Sequence, residues 1–159
     1  MKKLKIKISH FNRYLILLIV SLFACIFYLS IPTLYDYGRL QKELETKLFE
    51  EYKINISLSN NIRYKILPSP RFEILDSSLY TKDKDNIEEF GKIKKLKINI
   101  SARSLYKQEK IKIKNIALHD SIFNFNEKSW KFISNYFQNE NLKKKILIKK
   151  SKIFLKKNI

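Results

Sequence analysis

Residues Tyr14 to Ile31 read YLILLIVSLFACIFYLSI, without a charge among them. A helix rises about 1.5 Å per residue, so this run covers about 27 Å, close to the hydrocarbon thickness of a bilayer. A helix on a water-soluble domain keeps one polar side; this one has none. The run predicts a transmembrane helix and makes all that follows an anchored domain. Lys2, Lys3, Lys5, Lys7 and Arg13 precede it, and the first acidic residue is Asp36. Basic flanks stay in the cytoplasm, so residues 1–13 read as a cytoplasmic tail, 14–31 as the span and 32–159 as the translocated part. Tyr14, Tyr28 and Tyr35 lie near the ends of the span, where amphipathic rings favour the interface. A cleaved signal peptide is the competing reading, but its apolar core runs about 7–15 residues and closes on a small-x-small site. No such site closes this run. Leu22-Phe23-Ala24-Cys25 resembles a lipoprotein cleavage box, but Phe23 fits it poorly and the apolar run continues to Ile31.

Of 159 residues, 128 follow the span, enough for one modest domain. The net charge is +18, and the part beyond the span keeps 28 basic against 15 acidic residues. Such charge suits an anionic partner. The chain is crowded with Lys, Ile and Asn, however, and holds only five Arg, the residue nucleic-acid readers use for bidentate contacts. The expectation is therefore no nucleic acid. The one cysteine, Cys25, lies in the span, which excludes disulfides from the domain. His10 and His119 fall on opposite sides of the predicted membrane and share no metal. Gly38 and Gly91 form no phosphate-cradling loop. His119-Asp120-Ser121 are adjacent, and adjacent residues cannot take up the triad geometry. Glu50-Glu51 and Glu88-Glu89 read as solvated pairs. The sequence predicts a non-enzyme with no catalytic residues, no cofactor and no metal.

Residues 32–53 read as an amphipathic helix: Leu40, Leu44, Leu48 and Tyr52 recur every four residues, with Leu34 and Tyr37 extending the stripe. Pro32 predicts a bend between span and helix. From Ile54 the period becomes two. Ile54, Ile56 and Leu58 alternate with polar residues, then a turn at Ser59-Asn60-Asn61, then Ile62, Tyr64 and Ile66. Leu67-Pro68-Ser69-Pro70 breaks the ladder, and Phe72 and Ile74 resume it up to Leu79-Tyr80. Residues 81–89 read as a polar loop. Leu96, Ile98 and Ile100 make the next strand; Ile111 and Ile113 another, with a phase slip near Asn115 that predicts a β-bulge. His119-Asp120 reads as a tight turn before Phe123 and Phe125. Trp130, Ile133 and Phe137 sit at helical spacing in a short helix over 129–138, and residues 143–157 return to strand.

The expected fold is α+β: a transmembrane helix and an amphipathic helix, then over residues 54–159 an antiparallel, curved sheet apolar on one face, with a short helix near the C-terminus. Many one-sided strands and few elements to cover them leave an apolar face for a ligand or partner. The candidate lipid-facing residues are Ile62, Tyr64, Ile66, Phe72, Ile74, Leu96, Ile98, Ile100, Ile111, Ile113, Phe123 and Phe125. The alternative for each is an ordinary core position beneath the Leu40-Leu44-Leu48 stripe.

The order of basic tail, span, Leu-rich helix, strand, Leu67-Pro68-Ser69-Pro70-Arg71-Phe72-Glu73-Ile74, the Leu96–Ile100 strand, Leu105-Tyr106, Ile111–Leu118 and Phe123-Asn124-Phe125 ahead of Trp130 resembles the N-terminal region of the AsmA family of Gram-negative envelope proteins. Pro68, Pro70 and Trp130 carry the motif positions, although Lys128-Ser129 stands where an Asn usually precedes the Trp. The resemblance implies a single-pass protein of the bacterial inner membrane with a periplasmic domain. It also implies phospholipid handling or transport in outer-membrane assembly. The implied partners are membrane phospholipids and further AsmA-like subunits or envelope proteins. This chain matches only the opening module of that family. A structural module that recruits a protein by strand addition, without lipid transfer, is the competing expectation.

Overall fold

The structure, a computed structural model, describes residues 10–83, 86–138 and 145–156. The basic tail before His10, the centre of the predicted polar loop and the first residues of the last predicted strand lie outside them. Helix α1 (His10–Ser30) carries the apolar run, and its side chains from Asn12 to Phe27 face outward. Together with the next turn it forms a 23-residue stretch, Asn12–Leu34, long and apolar enough to cross a membrane; its side chains are bare up to Phe27, and from Tyr28 the domain packs on it. Pro32 ends it, since a proline cannot donate to the helical ladder. A single 3-10 turn, Ile31–Leu34, and the N-cap Asp36 separate it from α2 (Tyr37–Tyr52), so span and helix are distinct elements. The Asp36 carboxylate accepts from the Gly38 amide at 2.9 Å. At the far end Lys53, at φ 54°, closes the helix by donating its N–H to Phe49 O. Leu34 is 80% exposed and does not extend the α2 stripe.

As the alternation predicts, strands follow: β1 (Asn55–Ser57), β2 (Ile62–Lys65), β3 (Arg71–Asp83), β4 (Asn86–Ile100), β5 (Ile113–Phe125), β6 (Ile146–Lys149) and β7 (Lys152–Leu155), with α3 (Glu127–Gln138) between β5 and β6. All belong to one open sheet with β3, β4 and β5 at its centre. The turn at Ser59–Asn61 is a jog rather than a hairpin: β1 and β2 both pair with β3, end to end along its edge. The polar loop over 81–89 is mostly ladder, because β3 and β4 stay paired out to Asp83 and Asn86. The sheet is mixed: pairs from β1 to β5 are antiparallel, whereas β6 and β7 lie parallel to β5. A parallel neighbour needs a crossover, and α3 provides it. The slip near Asn115 is a bulge, where Asn99 pairs with Asn115 but Ile100 with Ile113, and the Asn99 amide donates to Asn115 Oδ1 at 2.6 Å.

His119-Asp120 is no turn. It belongs to a crease that crosses the sheet. Leu75, Lys95, His119 and Lys149 form one cross-strand row, and Ser77, Ile93 and Ser121 the next row but one. Between them lie Asp76, Lys94, Asp120 and Lys150, of which Asp76, Asp120 and Lys150 have φ of 56°, 53° and 51°. In β3, β4 and β5 alike, two successive side chains point outward at this place, and inward burial then resumes at Ser77, Ile93 and Ser121. A bulge in a single strand would cost its neighbour a ladder pair. Here every strand takes the same step, so the register survives it. Aspartate tolerates the left-handed region better than most residues, which suits Asp76 and Asp120 to the step.

The crease divides the inner face in two. The end nearer α1 holds Phe72, Ile98 and Ile116 in one row and Ile74, Leu96 and Leu118 in the next, all buried. Helix α2 lies over the inner face with Leu40, Leu44, Leu48 and Tyr52 at 0% exposure. It is tied down by Lys47 donating to Glu109 O at 2.9 Å, and by Gln41 and Glu45 bonding the Leu58 backbone at 2.6 and 2.7 Å. On the outer face the buried Glu73 accepts from Lys65 and Arg71, each at 3.0 Å. Burial alone would push its carboxyl up, but these two partners hold it below the usual carboxylate value. The lowered value means the contribution to stability is present at neutral pH and is lost as pH falls through the folded-state value. Glu73→Gln is expected to cost about 1–3 kcal/mol at pH 7, the range for a charged hydrogen-bonded group. The gap between variant and parent in detergent-solubilised denaturant titrations should close as the pH is taken below about 4.

Candidate functional site

The far half of the inner face, beyond the crease, is roofed differently. Asn126 and Ser129 start α3 reciprocally: the Ser129 amide donates to Asn126 Oδ1 and the Asn126 amide to Ser129 Oγ, both at 2.8 Å. This is the logic of a capping box, written N-x-x-S immediately ahead of Trp130. The helix then turns back over the sheet, and the Tyr136 hydroxyl donates to Tyr52 O at 2.5 Å, pinning α3 to the end of α2. Burial pushes the Tyr136 phenol up to about 12, so it remains a donor at any physiological pH.

Between α3 and the sheet is a cavity of about 330 Å³, within the range of about 300–1,000 Å³ common to small-molecule sites. Its floor crosses the crease, with Leu79, Phe90, Phe123 and Phe125 beyond it and Ile116 and Leu118 just before it. Ile54 and Ile56 line it from the β1 side, and Trp130, Ile133, Ser134 and Tyr136 from α3. Ile146, Ile148 and Ile153 of the β6–β7 edge complete it, and the last two are more than half exposed, so the cavity opens along that edge. Phe125 stacks on Phe90 and Phe123 at 5.9 Å and meets Trp130 edge-on at 5.9 Å. Trp130 is itself 53% exposed and stands at the rim. Apart from Ser134 and Tyr136, every lining residue is apolar. Such a lining suits an alkyl chain.

Of the twelve candidate lipid-facing residues, Phe123 and Phe125 line this cavity. Phe72, Ile74, Leu96, Ile98, Ile100, Ile111 and Ile113 are buried core, each at most 4% exposed, and take the alternative reading. Ile62 and Tyr64 pack partly buried against that core, and Ile66 is also half-buried. The reason is coverage: the buried ones share one core with the Leu40, Leu44, Leu48 and Tyr52 stripe of α2. Trp130 joins the site, while Pro68 and Pro70 lie at the opposite end of the sheet. The cavity residues missed in the sequence belong to strands whose neighbours were singled out. Ile116 and Leu118 fall in the shifted phase after the bulge, and Leu79 and Phe90 flank the 81–89 stretch that reads as a loop.

The outer face carries the charge. Lys95, His119 and Lys149 share a row, with Lys97 nearby. Burial first, then the Lys97 and Lys149 charges, hold the His119 imidazole below its usual value. No group of three or more potential metal-ligating side chains occurs among the described residues.

The fold and cavity define a single α+β domain carried by a candidate membrane-spanning helix, with an apolar pocket at the end of the sheet away from that helix. Comparison with known protein families, characterised proteins and solved structures finds no match to this chain.

Gly91 lies in the inner-face row between Leu79 and Phe123. A Cβ there would stand 3.1 Å from both side chains. Gly91→Ala is expected to force these two cavity-floor residues aside at a cost of about 1 kcal/mol or more. Thermal unfolding should show the loss, and Trp130 emission should shift as its neighbour Phe125 moves.

Proposed function

We propose that this protein is a membrane-anchored, non-enzymatic lipid-handling module whose pocket under α3 takes one acyl chain of a phospholipid. The observation that carries the reading is the pocket's lining, apolar except for two hydroxyl-bearing residues and open along an exposed edge. Each methylene moved from water into such a site contributes about 0.8 kcal/mol, which sums quickly along a chain. The charge-free span and its basic N-terminal flank support a bacterial inner-membrane protein with its domain in the periplasm. The resemblance to the AsmA opening module supports a part in outer-membrane assembly. Because the pocket lies at the end of the sheet away from the span, further AsmA-like subunits or other envelope proteins would receive or supply the lipid.

A second reading rests on a separate observation. The β6–β7 edge has no strand beyond it among the described residues, and Ile153, Phe154 and Leu155 on it are at least half exposed. A partner strand would add to that edge and close the pocket without lipid.

Under the lipid reading, extraction in mild detergent followed by mass spectrometry should find phospholipid bound. A lipid brominated along its acyl chain should quench Trp130. Ile148→Asp and Ile153→Asp, at positions exposed enough to tolerate the change, should reduce both signals several-fold. Bound lipid absent, with Trp130 unquenched, defeats the reading; a stoichiometric protein lost on proline substitution in β7 establishes the second.

A further inference from the structure

The length of the exposed part of α1 does not match a bilayer. Its fully outward-facing apolar part, Tyr14–Phe27, covers about 21 Å, against about 30 Å of hydrocarbon. The missing length is supplied by residues 28–34, and the domain is already packed on them. The Tyr64 hydroxyl donates to Leu29 O at 2.8 Å, and the Tyr35 hydroxyl donates to Leu105 O. Tyr28, Leu29 and Tyr35 all pack against the domain's core. The sheet therefore cannot hang from a flexible stalk clear of the membrane.

Two loops lie at this end. Pro70 O accepts from the Ile100 amide at 3.0 Å, which sets the Leu67–Pro70 turn beside the connection that leaves β4. Arg71 clamps the turn by donating through Nη1 to the carbonyls of Leu67 and Ser69. The clamp leaves the Leu67 side chain 78% exposed; Leu34 is as open, and Tyr106 is half exposed. Arg103, Lys107 and Lys110 surround Tyr106 in the same loop, all exposed, with the Lys110 ammonium 5.4 Å from its ring.

We propose that this end of the domain is a second membrane contact, seated in the leaflet from which α1 emerges. Leu67, Leu34 and the Tyr106 ring enter the interfacial layer, and Arg103, Lys107 and Lys110 meet lipid phosphates. Apolar side chains, an amphipathic ring and cations on long stems are the residue types that layer accepts. The occupant is argued from continuity: the surface begins where the span ends, and the hydrophobic length of the span requires it. The proposal rests on α1 crossing a bilayer and is independent of what the far pocket binds. It fixes the sheet upright, and the 13 residues of β3 then carry the β3–β4 tip about 40 Å from the membrane.

The test uses the full chain in nanodiscs of phosphatidylcholine and phosphatidylglycerol containing a lipid spin-labelled near its headgroup. In a Trp130→Phe background, which removes the native indole at the pocket rim, single indoles are introduced by Leu67→Trp, Tyr106→Trp and Ile87→Trp. Ile87 is exposed near the β3–β4 tip, so all three sites tolerate the change. The indoles at positions 67 and 106 should lose most of their emission and that at 87 almost none. Emission at 67 and 106 no more quenched than at 87 overturns the proposal, as does equal quenching at all three, which would mean a domain lying flat.

Discussion

A sheet that is apolar on one side must have that side covered, and this chain has two helices with which to do it. They do so unequally. Helix α2 places four side chains at zero exposure in the core against the sheet. Helix α3 is pinned by its cap and by one tyrosine hydroxyl to the end of α2, and between it and the sheet is a cavity rather than a packed layer. Core packing at organic-crystal density leaves few voids larger than a water molecule, so a space of this size lined by aromatic and branched side chains departs from ordinary core packing.

The crease explains why the two halves differ. By stepping together at Asp76, Lys94, Asp120 and Lys150, the strands keep their pairing while the inward phase is reset. Side chains beyond the step, joined by Ile116 and Leu118 just before it, face the cavity under α3. A cost accompanies it: the hydroxyls of Ser77 and Ser121, buried just past the step on either side of Ile93, have no hydrogen-bond partner among the described residues. Buried hydroxyls without partners cost about 1–3 kcal/mol each, which the surrounding core offsets.

The two ends of the sheet thus have different roles. One is fastened to the last turn of α1 through the Leu29 carbonyl, which the helix end leaves unsatisfied. The other carries the cavity and the β6–β7 edge, which has no strand beyond it among the described residues. The basic outer face runs between them, and on it Glu73 is the acidic residue that bridges two cations at once.

Much of this was legible beforehand, for identifiable reasons. A charge-free run of 18 residues, a leucine at every fourth place and isoleucines at every second are local periodicities, and local periodicity fixes element type and which side is greasy. The bulge near Asn115 was visible because a slip of one residue reverses the alternation. The same kind of slip at His119-Asp120 was misread as a turn, since one strand cannot reveal that its neighbours step beside it. The parallel return of β6 and β7, the half of the face taken by α2 and the cavity left under α3 depend on contacts between residues far apart in the chain. By itself the sequence determined an apolar N-terminal helix followed by a domain with a one-sided sheet. Only tertiary structure decided which of those side chains are sealed and which line an opening, because burial is a property of what lies opposite a residue and not of the residue.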